Sequence, residues 1–472
     1  MVFVIFGASG DLSEHKLLPA LFNLSRKKLL PKRWHIVGFS RHDFTPDAFR
    51  DFARTAIRRN HRLSRGLEAF TKRIHYVRGT FEDAEAYQRL LVHLADIDTA
   101  WNGCSNKLFY LAASPTWYET IFTRLSHSGL TIPCGGAEGS PRSSSGEAGW
   151  PRILVEKPFG NDLATAQKLD AMLGRLFKEE QIFRIDHYLA KETLQNILAF
   201  RFSNALFEPL WDHEDIEKVE IVLWEMSGVG RRGAFYEDTG ALRDVGQNHL
   251  LQMLSLVAME HPGALTAAAI RRARAHVLES LQPMPQNEIA RRVVRAQYRG
   301  YKNEPGVKAA SKVETYFRIE AYLENPRWKG VPFYLEAGKR MRKHRADIKV
   351  YFKPTRSPLH MVCHGFESGC QNVLTFHIQP QEGISVQFFA KRLGFNMELE
   401  PKVLSFMYRG KRVAEKPLEA YQRLLYDCIR GDQTLFASTE EVQAAWKFIT
   451  PILDGWSAAP LKIYEEGWDG IK

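Results

Sequence analysis

The stretch VFVIFGASGDLSEHKLLPALFNLSRKKLL, residues 2–30, constrains the fold more than any other. Five consecutive apolar residues read as a strand buried on both faces. A glycine-bearing turn follows, and apolar positions 17, 18, 21, 22 and 24 then give one hydrophobic stripe at helical spacing. A strand buried on both faces needs helices over both. Further apolar runs recur with helical patterns between them: WHIVGFS (34–40), KLFYLAAS (107–114) and RILVEKPFG (152–160). This alternation predicts an α/β, doubly wound, Rossmann-like N-terminal domain with a parallel sheet.

Beyond about residue 185 the pattern changes to alternating β-branched and aromatic residues: KVEIVLWE, VETYFRIEAYLE, DIKVYFK, NVLTFHIQ and SVQFFAK. These predict a C-terminal α+β domain built on a large, mainly antiparallel sheet, with helices over 190–203, 238–258 and 417–430. A chain of 472 residues is long for one core, and the boundary is placed between 1–183 and 184–472. No apolar run approaches the ~18 residues of a spanning helix, and no leader pattern precedes the first strand. The expectation is a cytoplasmic protein without a membrane partner.

Cys104, Cys134, Cys363, Cys370 and Cys428 lack paired metal spacing and a disulfide framework, so reduced thiols and no bound metal are expected. Lys and Arg exceed Asp and Glu by 65 to 54, which suits either a nucleic-acid surface or an anionic small substrate. The basic runs RRARAH (271–276) and RRVVRAQYRGYK (291–302) have no nucleic-acid-binding motif around them and read as solvated or phosphate-facing surface. No nucleic-acid partner is expected. The Gly/Ser-rich 133–149 reads as a mobile insertion without chemistry.

GASGDL (7–12) stands where a phosphate-binding turn belongs, between strand and helix. There glycines admit the pyrophosphate and the helix start offers N–H donors. Lys16 lies one turn further on. At the end of the second strand, Ser40 and Arg41 replace the carboxylate that would hold a 2′-hydroxyl. A guanidinium suits a 2′-phosphate, so the pair points to NADP, with Asp43 close by tempering the inference. Further on, TGALRDVGQNHLLQML (239–254) sets His249 on an apolar helix, with Asp244 five positions earlier. RIDHYLAKE (184–192) supplies Asp186. A histidine base paired with a carboxylate beside a nicotinamide is what alcohol oxidation by hydride transfer needs.

With GASGDLxxxK (7–16), FYLAxxP (109–115), EKPFG (156–160), RIDHYLxKE (184–192), DVxQNHLLQ (244–252), NPRWxGVPFYxxxGKR (325–340) and AYxRLLxDxxxGD (420–432), the chain resembles the glucose-6-phosphate dehydrogenases over nearly its full length. The resemblance implies oxidation of glucose 6-phosphate to the 1,5-lactone with NADP, NAD being a weaker alternative. This is the opening reaction of the oxidative pentose phosphate pathway. It implies His249 as general base and Asp186 as its orienting carboxylate. His187, Tyr188 and Lys191 would hold the sugar phosphate, Glu225 and Asp244 the sugar hydroxyls, and Lys157, Lys339 and Gln379 would make further substrate contacts. Gly7, Ser9, Gly10, Asp11, Leu12, Lys16, Ser40, Arg41, Pro115, Lys157 and Pro158 would form the coenzyme site. Self-association to a dimer or tetramer is also implied.

The chain departs from the family pattern in four places. Glu14 lies beside the phosphate turn and is expected to point outward. Ala190 replaces a glycine. His344, between Lys343 and Arg345, replaces a second cation. The 134–149 loop is longer than usual. Rival readings are the glucose–fructose oxidoreductase group, which lacks RIDHYLxKE with QNH, a non-catalytic NADP-binding regulator, and a nucleic-acid-binding module.

Overall fold

The computed structural model describes residues 1–60, 65–133, 149–354, 370–408 and 419–471, so nearly all of the Gly/Ser-rich insertion lies outside the described residues. The chain forms two compact units, Met1–Ala190 with Leu418–Thr439, and Lys191–Pro417 with Glu440–Lys472.

The first unit is built on six parallel strands: β1 (Val2–Phe6), β2 (His35–Ser40), β3 (Ile74–Arg78), β4 (Lys107–Leu111), β5 (Pro151–Val155) and β6 (Ile182–Ile185). Their order is β6-β5-β4-β1-β2-β3, and the short strand Phe436–Ala437 pairs antiparallel with β6 at the edge. This is the doubly wound order whose switch point lies between β1 and β4. Every residue of β1 is buried, as a central parallel strand covered on both faces requires. Helices α1 (Leu18–Arg26), α2 (Pro46–Asn60), α3 (Leu67–Thr71), α4 (Ala84–Ala100), α5 (Tyr118–Ser128) and α6 (Leu163–Leu176) cover the sheet.

The second unit holds a nine-stranded sheet. Its strands include β7 (Ile216–Trp224), β8 (Val293–Tyr298), β9 (Tyr316–Ala321), β10 (Phe333–Gly338), β11 (Arg345–Phe352), β12 (Val373–Gln379), β13 (Gly383–Lys391) and β14 (Leu399–Met407). Pairing is antiparallel except for β7 with β10 and β8 with the edge strand Leu461–Tyr464. Helix α7 (Glu192–Phe202) packs against β12, and a π-helical segment, Leu242–Leu250, lies over β7 and β10 before running into α9 (Leu251–Ala258). Helix α8 (Gly233–Ala241) precedes that segment.

Three expectations are corrected. The basic runs are a solvated face only in part: Arg272, Arg291, Arg299 and Lys302 are exposed, but Arg274 is buried and ion-paired with Glu441 at 2.7 Å, and Arg292 and Arg295 are buried around β8. Each of the last three guanidinium groups has found carboxylate or carbonyl acceptors in the interior, which a run of sequence charges does not reveal. The thiols are not all reduced. Cys104 and Cys370 each take part in a disulfide, and among the described residues only Cys428 is free. Spacing along the chain does not report the Cα separation of under ~7 Å that a disulfide needs. The helix expected over 417–430 forms at Ala420–Arg430, but it groups with the first unit.

Candidate active site

In the first unit the turn after β1 is made by Gly7 at φ +83°, and a Cβ there would stand 2.5 Å from the Ala112 carbonyl oxygen. Only glycine meets both demands. The Gly7 and Gly10 N–H groups donate to Phe39 O and Gly7 O at 2.9 and 3.0 Å, closing a tight loop at the helix start. Such a loop brings backbone donors and the positive end of the helix to one place, so its geometry fits a pyrophosphate. The helix opens with a π-helical turn, Ser13–Leu17, which carries Lys16 to the exposed side. Asp11 is exposed and Leu12 half-buried beside it. Glu14 does not point outward: its carboxylate is ion-paired with Arg59 of α2 and is only 18% exposed. That pair offsets the negative charge of Glu14 beside the turn after β1.

At the end of β2, Ser40 is buried, with Oγ 2.9 Å from the Tyr76 hydroxyl, so its side chain is committed to the interior. Arg41 is exposed and pairs with no carboxylate among the described residues. Asp43 is held by Arg78 at 2.8 Å, which leaves Arg41 available to an incoming anion. His42 contacts Ser9 Oγ through Nδ1 at 2.6 Å, tying the phosphate turn to the end of β2. Pro115 opens a short 3₁₀ turn after β4.

The strand end at EKP is anchored from below. The buried Glu156 carboxyl accepts from Tyr110 at 2.5 Å, and its backbone carbonyl accepts from Tyr118 at 2.9 Å. Burial pushes its pKa up against the opposing hydrogen bonds of Tyr110 and Tyr421. The following Lys157–Pro158 bond is cis. In the RIDHYL stretch Arg184 is buried among Asp170, Glu179 and Thr439, so it serves the fold. Asp186 is buried, and its Oδ1 accepts from Tyr188 N–H at 2.9 Å, an Asx turn that fixes the carboxylate. The His187 and Tyr188 rings lie together, with centroids 5.1 Å apart.

In the second unit Lys191 occupies the N-cap of α7. Asp244 and His249, both buried, lie on the π-helical segment. In an α-helix two residues five apart are separated by roughly 140° around the axis. The i→i+5 pattern of a π-helix brings them nearly onto one face. Gly240, at φ +66°, sets the entry to this segment, and a Cβ there would meet Glu314 Oε1 at 2.4 Å. That buried carboxylate accepts from Leu242 N–H at 3.0 Å and from Trp456 Nε1 at 3.1 Å, and burial raises its pKa. Close by, Lys339 forms an ion pair with Glu225 and its ammonium stands 5.3 Å from the centre of the buried Tyr236 ring. Burial, then the charges of Asp244, Glu314 and Glu225, drive the Tyr236 hydroxyl far above its ordinary range. The segment thus gathers Asp244, Glu225, Lys339 and Tyr236. Gln379 closes β12. Arg345 is taken up by Asp347 at 2.7 Å, while Lys343 and His344 stay exposed.

The sequence reading missed His42, Arg78, Tyr236 and Glu314. His42 and Tyr236 stood close in sequence to residues already singled out, whereas Arg78 lies 35 positions from its partner Asp43. Glu314 lies about seventy positions from the helix it caps, and nothing local marks it.

The chain matches two family models, glucose-6-phosphate dehydrogenase, NAD binding domain, over residues 4–196 and glucose-6-phosphate dehydrogenase, C-terminal domain, over residues 198–472. It is similar to the glucose-6-phosphate 1-dehydrogenase of Chlamydia muridarum, 40% identical with 97% of this chain and 90% of the relative covered. That of Bacillus subtilis is 36% identical, with 97% and 92% covered. A solved structure of glucose-6-phosphate dehydrogenase in complex with its substrate glucose-6-phosphate superposes with a TM-score of 0.87 at 30% identity, over 100% of this chain and 95% of the other. The Mycobacterium avium enzyme gives 0.83 at 30%, over 99% and 94%. The two-unit architecture, the glycine turn after β1 and the full-length matches agree: the chain belongs to the glucose-6-phosphate dehydrogenase family.

Proposed function

We propose that the protein oxidises D-glucose 6-phosphate at its anomeric carbon to 6-phosphoglucono-1,5-lactone, with NADP as coenzyme and NAD as a weaker alternative. The observation that supports this reading is the π-helical segment that carries buried His249 and Asp244, whose i→i+5 pattern favours one face for both, beside the Glu225–Lys339 pair. In this reading neutral His249 takes the proton from the C1 hydroxyl as the C1–H bond breaks, and the electron pair becomes the lactone carbonyl. A bound nicotinamide supplies the hydride acceptor. Asp186 is assigned to orient the imidazole and offset its positive charge once protonated. His187, Tyr188 and Lys191 are assigned to the phosphate dianion, whose charge calls for cationic and neutral donors. Lys157 and Gln379 are given further substrate contacts, while Glu225 and Asp244 hold hydroxyls as acceptors. Gly7, Gly10 and the helix start fit the pyrophosphate, and the unpaired Arg41 fits a 2′-phosphate. Ser40, with its hydroxyl turned inward, contributes backbone only.

The domain reading is 1–183 for coenzyme and 184–472 for substrate and self-association. The exposed apolar side chains of β14, among them Leu404 and Phe406, support a dimer formed through that sheet edge, which sedimentation velocity reads directly. Among the described residues no helix is long and apolar enough to cross a membrane, and a relative in Arabidopsis thaliana, 39% identical over 95% of this chain, is named cytoplasmic. We assign this chain to the cytoplasm on that likeness. The test of function is absorbance of reduced coenzyme with purified protein, glucose 6-phosphate and NADP. His249→Asn should cut turnover by about 10²- to 10⁴-fold with substrate affinity largely kept, and near-normal turnover in that variant would refute the assignment.

A further inference from the structure

In the first unit, the C-terminal end of α1 and the residues entering β2 and β3 enclose a cleft of about 540 Å³. Its base is aromatic: Trp34 and Phe70 are buried, with ring centres 5.1 Å apart. Around the rim stand Arg26, Lys28, Arg65 and Arg73, all exposed, and none of the ten lining residues is acidic. Among the described residues none of these four cations has a carboxylate partner. Arg73 instead lies 4.9 Å over the Trp34 ring, and Arg26 lies 5.9 Å from the Phe22 ring. The contrast with α2 is direct. There Arg50, Arg54 and Arg59 each hold an acid, and Glu68, near the cleft in sequence, is already taken by Arg54.

Lys28 adds a second observation. It follows the end of α1 at φ +58°, where the Leu29 N–H closes onto Leu24 O at 2.9 Å, the hydrogen bond of a helix stop that favours glycine. A left-handed lysine carries a conformational cost, yet it places a cation on this rim. Cations at a helix C-terminus also complement its dipole. That accounts for Arg26 and Lys28. It does not account for Arg65 and Arg73, which arrive from other elements to face the same space. Four like charges around one cleft repel one another, and an anion is what relieves them.

We propose that this cleft binds a polyphosphate chain, whether free as tripolyphosphate or carried by a nucleoside triphosphate. Several adjacent phosphates present oxygens to several cations at once, and guanidinium forks suit them. The site is separate from the coenzyme turn. β2 leads from Trp34 at the cleft to Arg41 at the coenzyme end, seven residues and roughly 23 Å of extended chain.

The test uses the full chain saturated with NADP and titrated calorimetrically with tripolyphosphate, and separately with ATP, at about 0.15 M KCl. One site per chain is expected. Arg26→Ala with Arg73→Ala should weaken it at least ~10-fold, the loss of one or more charge-assisted contacts, whereas Arg41→Ala should leave it unchanged. Lys28→Gly gives the sharper result. It should raise Tm by about 1–3 °C by relieving the left-handed strain, while weakening tripolyphosphate several-fold. A merely structural lysine would give the first effect without the second. The proposal is overturned if there is no binding at this salt, if binding falls in Arg41→Ala or is displaced by NADP, or if ATP binds and tripolyphosphate does not.

Discussion

The first unit carries an acid-sensitive cluster whose strength can be worked out. His75 Nε2 lies 2.8 Å from His35 Nδ1, and the His93 ring centre is 5.0 Å from that of His75. His35 Nδ1 also stands 3.3 Å from the Arg73 carbonyl, so one N–H satisfies the neutral pair, and a second proton would set two N–H groups head to head. Burial, followed by the neighbouring His35, His93 and Arg50, lowers the pKa of His75 from 6.5 to about 4. Burial lowers His35 and His93 as well, the latter against Asp96. The folded state therefore binds fewer protons than the unfolded chain between pH 6.5 and 4. Stability is fully present above 6.5 and is lost as pH falls through that window. At ~1.4 kcal/mol per unit the His75 shift sets a ceiling of about 3.4 kcal/mol, and partial exposure brings the expected share to about 1–2 kcal/mol. His75→Gln, which retains a polar atom near the Nε2 position, should remove that linkage. Scanning calorimetry at pH 7.5 and 5.0 should show the parent losing about 2–6 °C more than the variant for the transition of this unit. Equal losses in both proteins would refute the reasoning.

Arg41→Ala should raise KM for NADP by about 10- to 100-fold and leave KM for NAD nearly unchanged, since only the 2′-phosphate loses a charge-assisted contact; steady-state kinetics with both coenzymes checks this. Lys339→Met should raise KM for glucose 6-phosphate by about tenfold or more, because Glu225, two-thirds buried, is left without its cation. An unchanged KM would remove Lys339 from the substrate pocket. Cys428 is fully buried, and burial holds its thiol well above the ordinary range, so it should react with a thiol reagent only after denaturant is added. Rapid modification of Cys428 in the native protein, read by mass spectrometry, would contradict that burial.

The sheet of the first unit was readable where strands are buried on both faces, because β1, β2, β4 and β5 are unbroken apolar runs. β3, with the sequence IHYVR, is only partly buried and gave no such run. β8 was hidden for a different reason. Arg295 within it and Arg292 just before it were read as surface, since burial of a charge is decided by acceptors such as the Ala459 carbonyl and Glu288, remote from any pattern of apolar residues. β14 shows the converse: an exposed apolar strand has no buried face, so the alternation that marks a strand means little there. The site residues proposed from motifs rest on likeness, because spacing alone places Asp244 and His249 on different sides of an α-helix.

That last difficulty explains why the placing of positions 244 and 249 depends on residues far away in the chain. To put positions 244 and 249 on one face the backbone must leave α-geometry, and a π-helical turn has to be held in place. Gly240 supplies the positive φ at its entry, and Gly246 allows close packing, since a Cβ there would stand 2.8 Å from the Phe317 ring. Glu314 then satisfies the first N–H of the segment from a buried position whose own pKa is raised by that burial. A carboxyl in such surroundings is retained only where its hydrogen bonds repay its desolvation. Here those bonds go to the π-helical segment and to Trp456. Each of these three residues would look ordinary in isolation, and each bears on the π-helical segment that carries His249 and Asp244. The geometry of this segment is therefore written partly in the loop before β9, and a reading that follows one helix at a time has no means of finding it there.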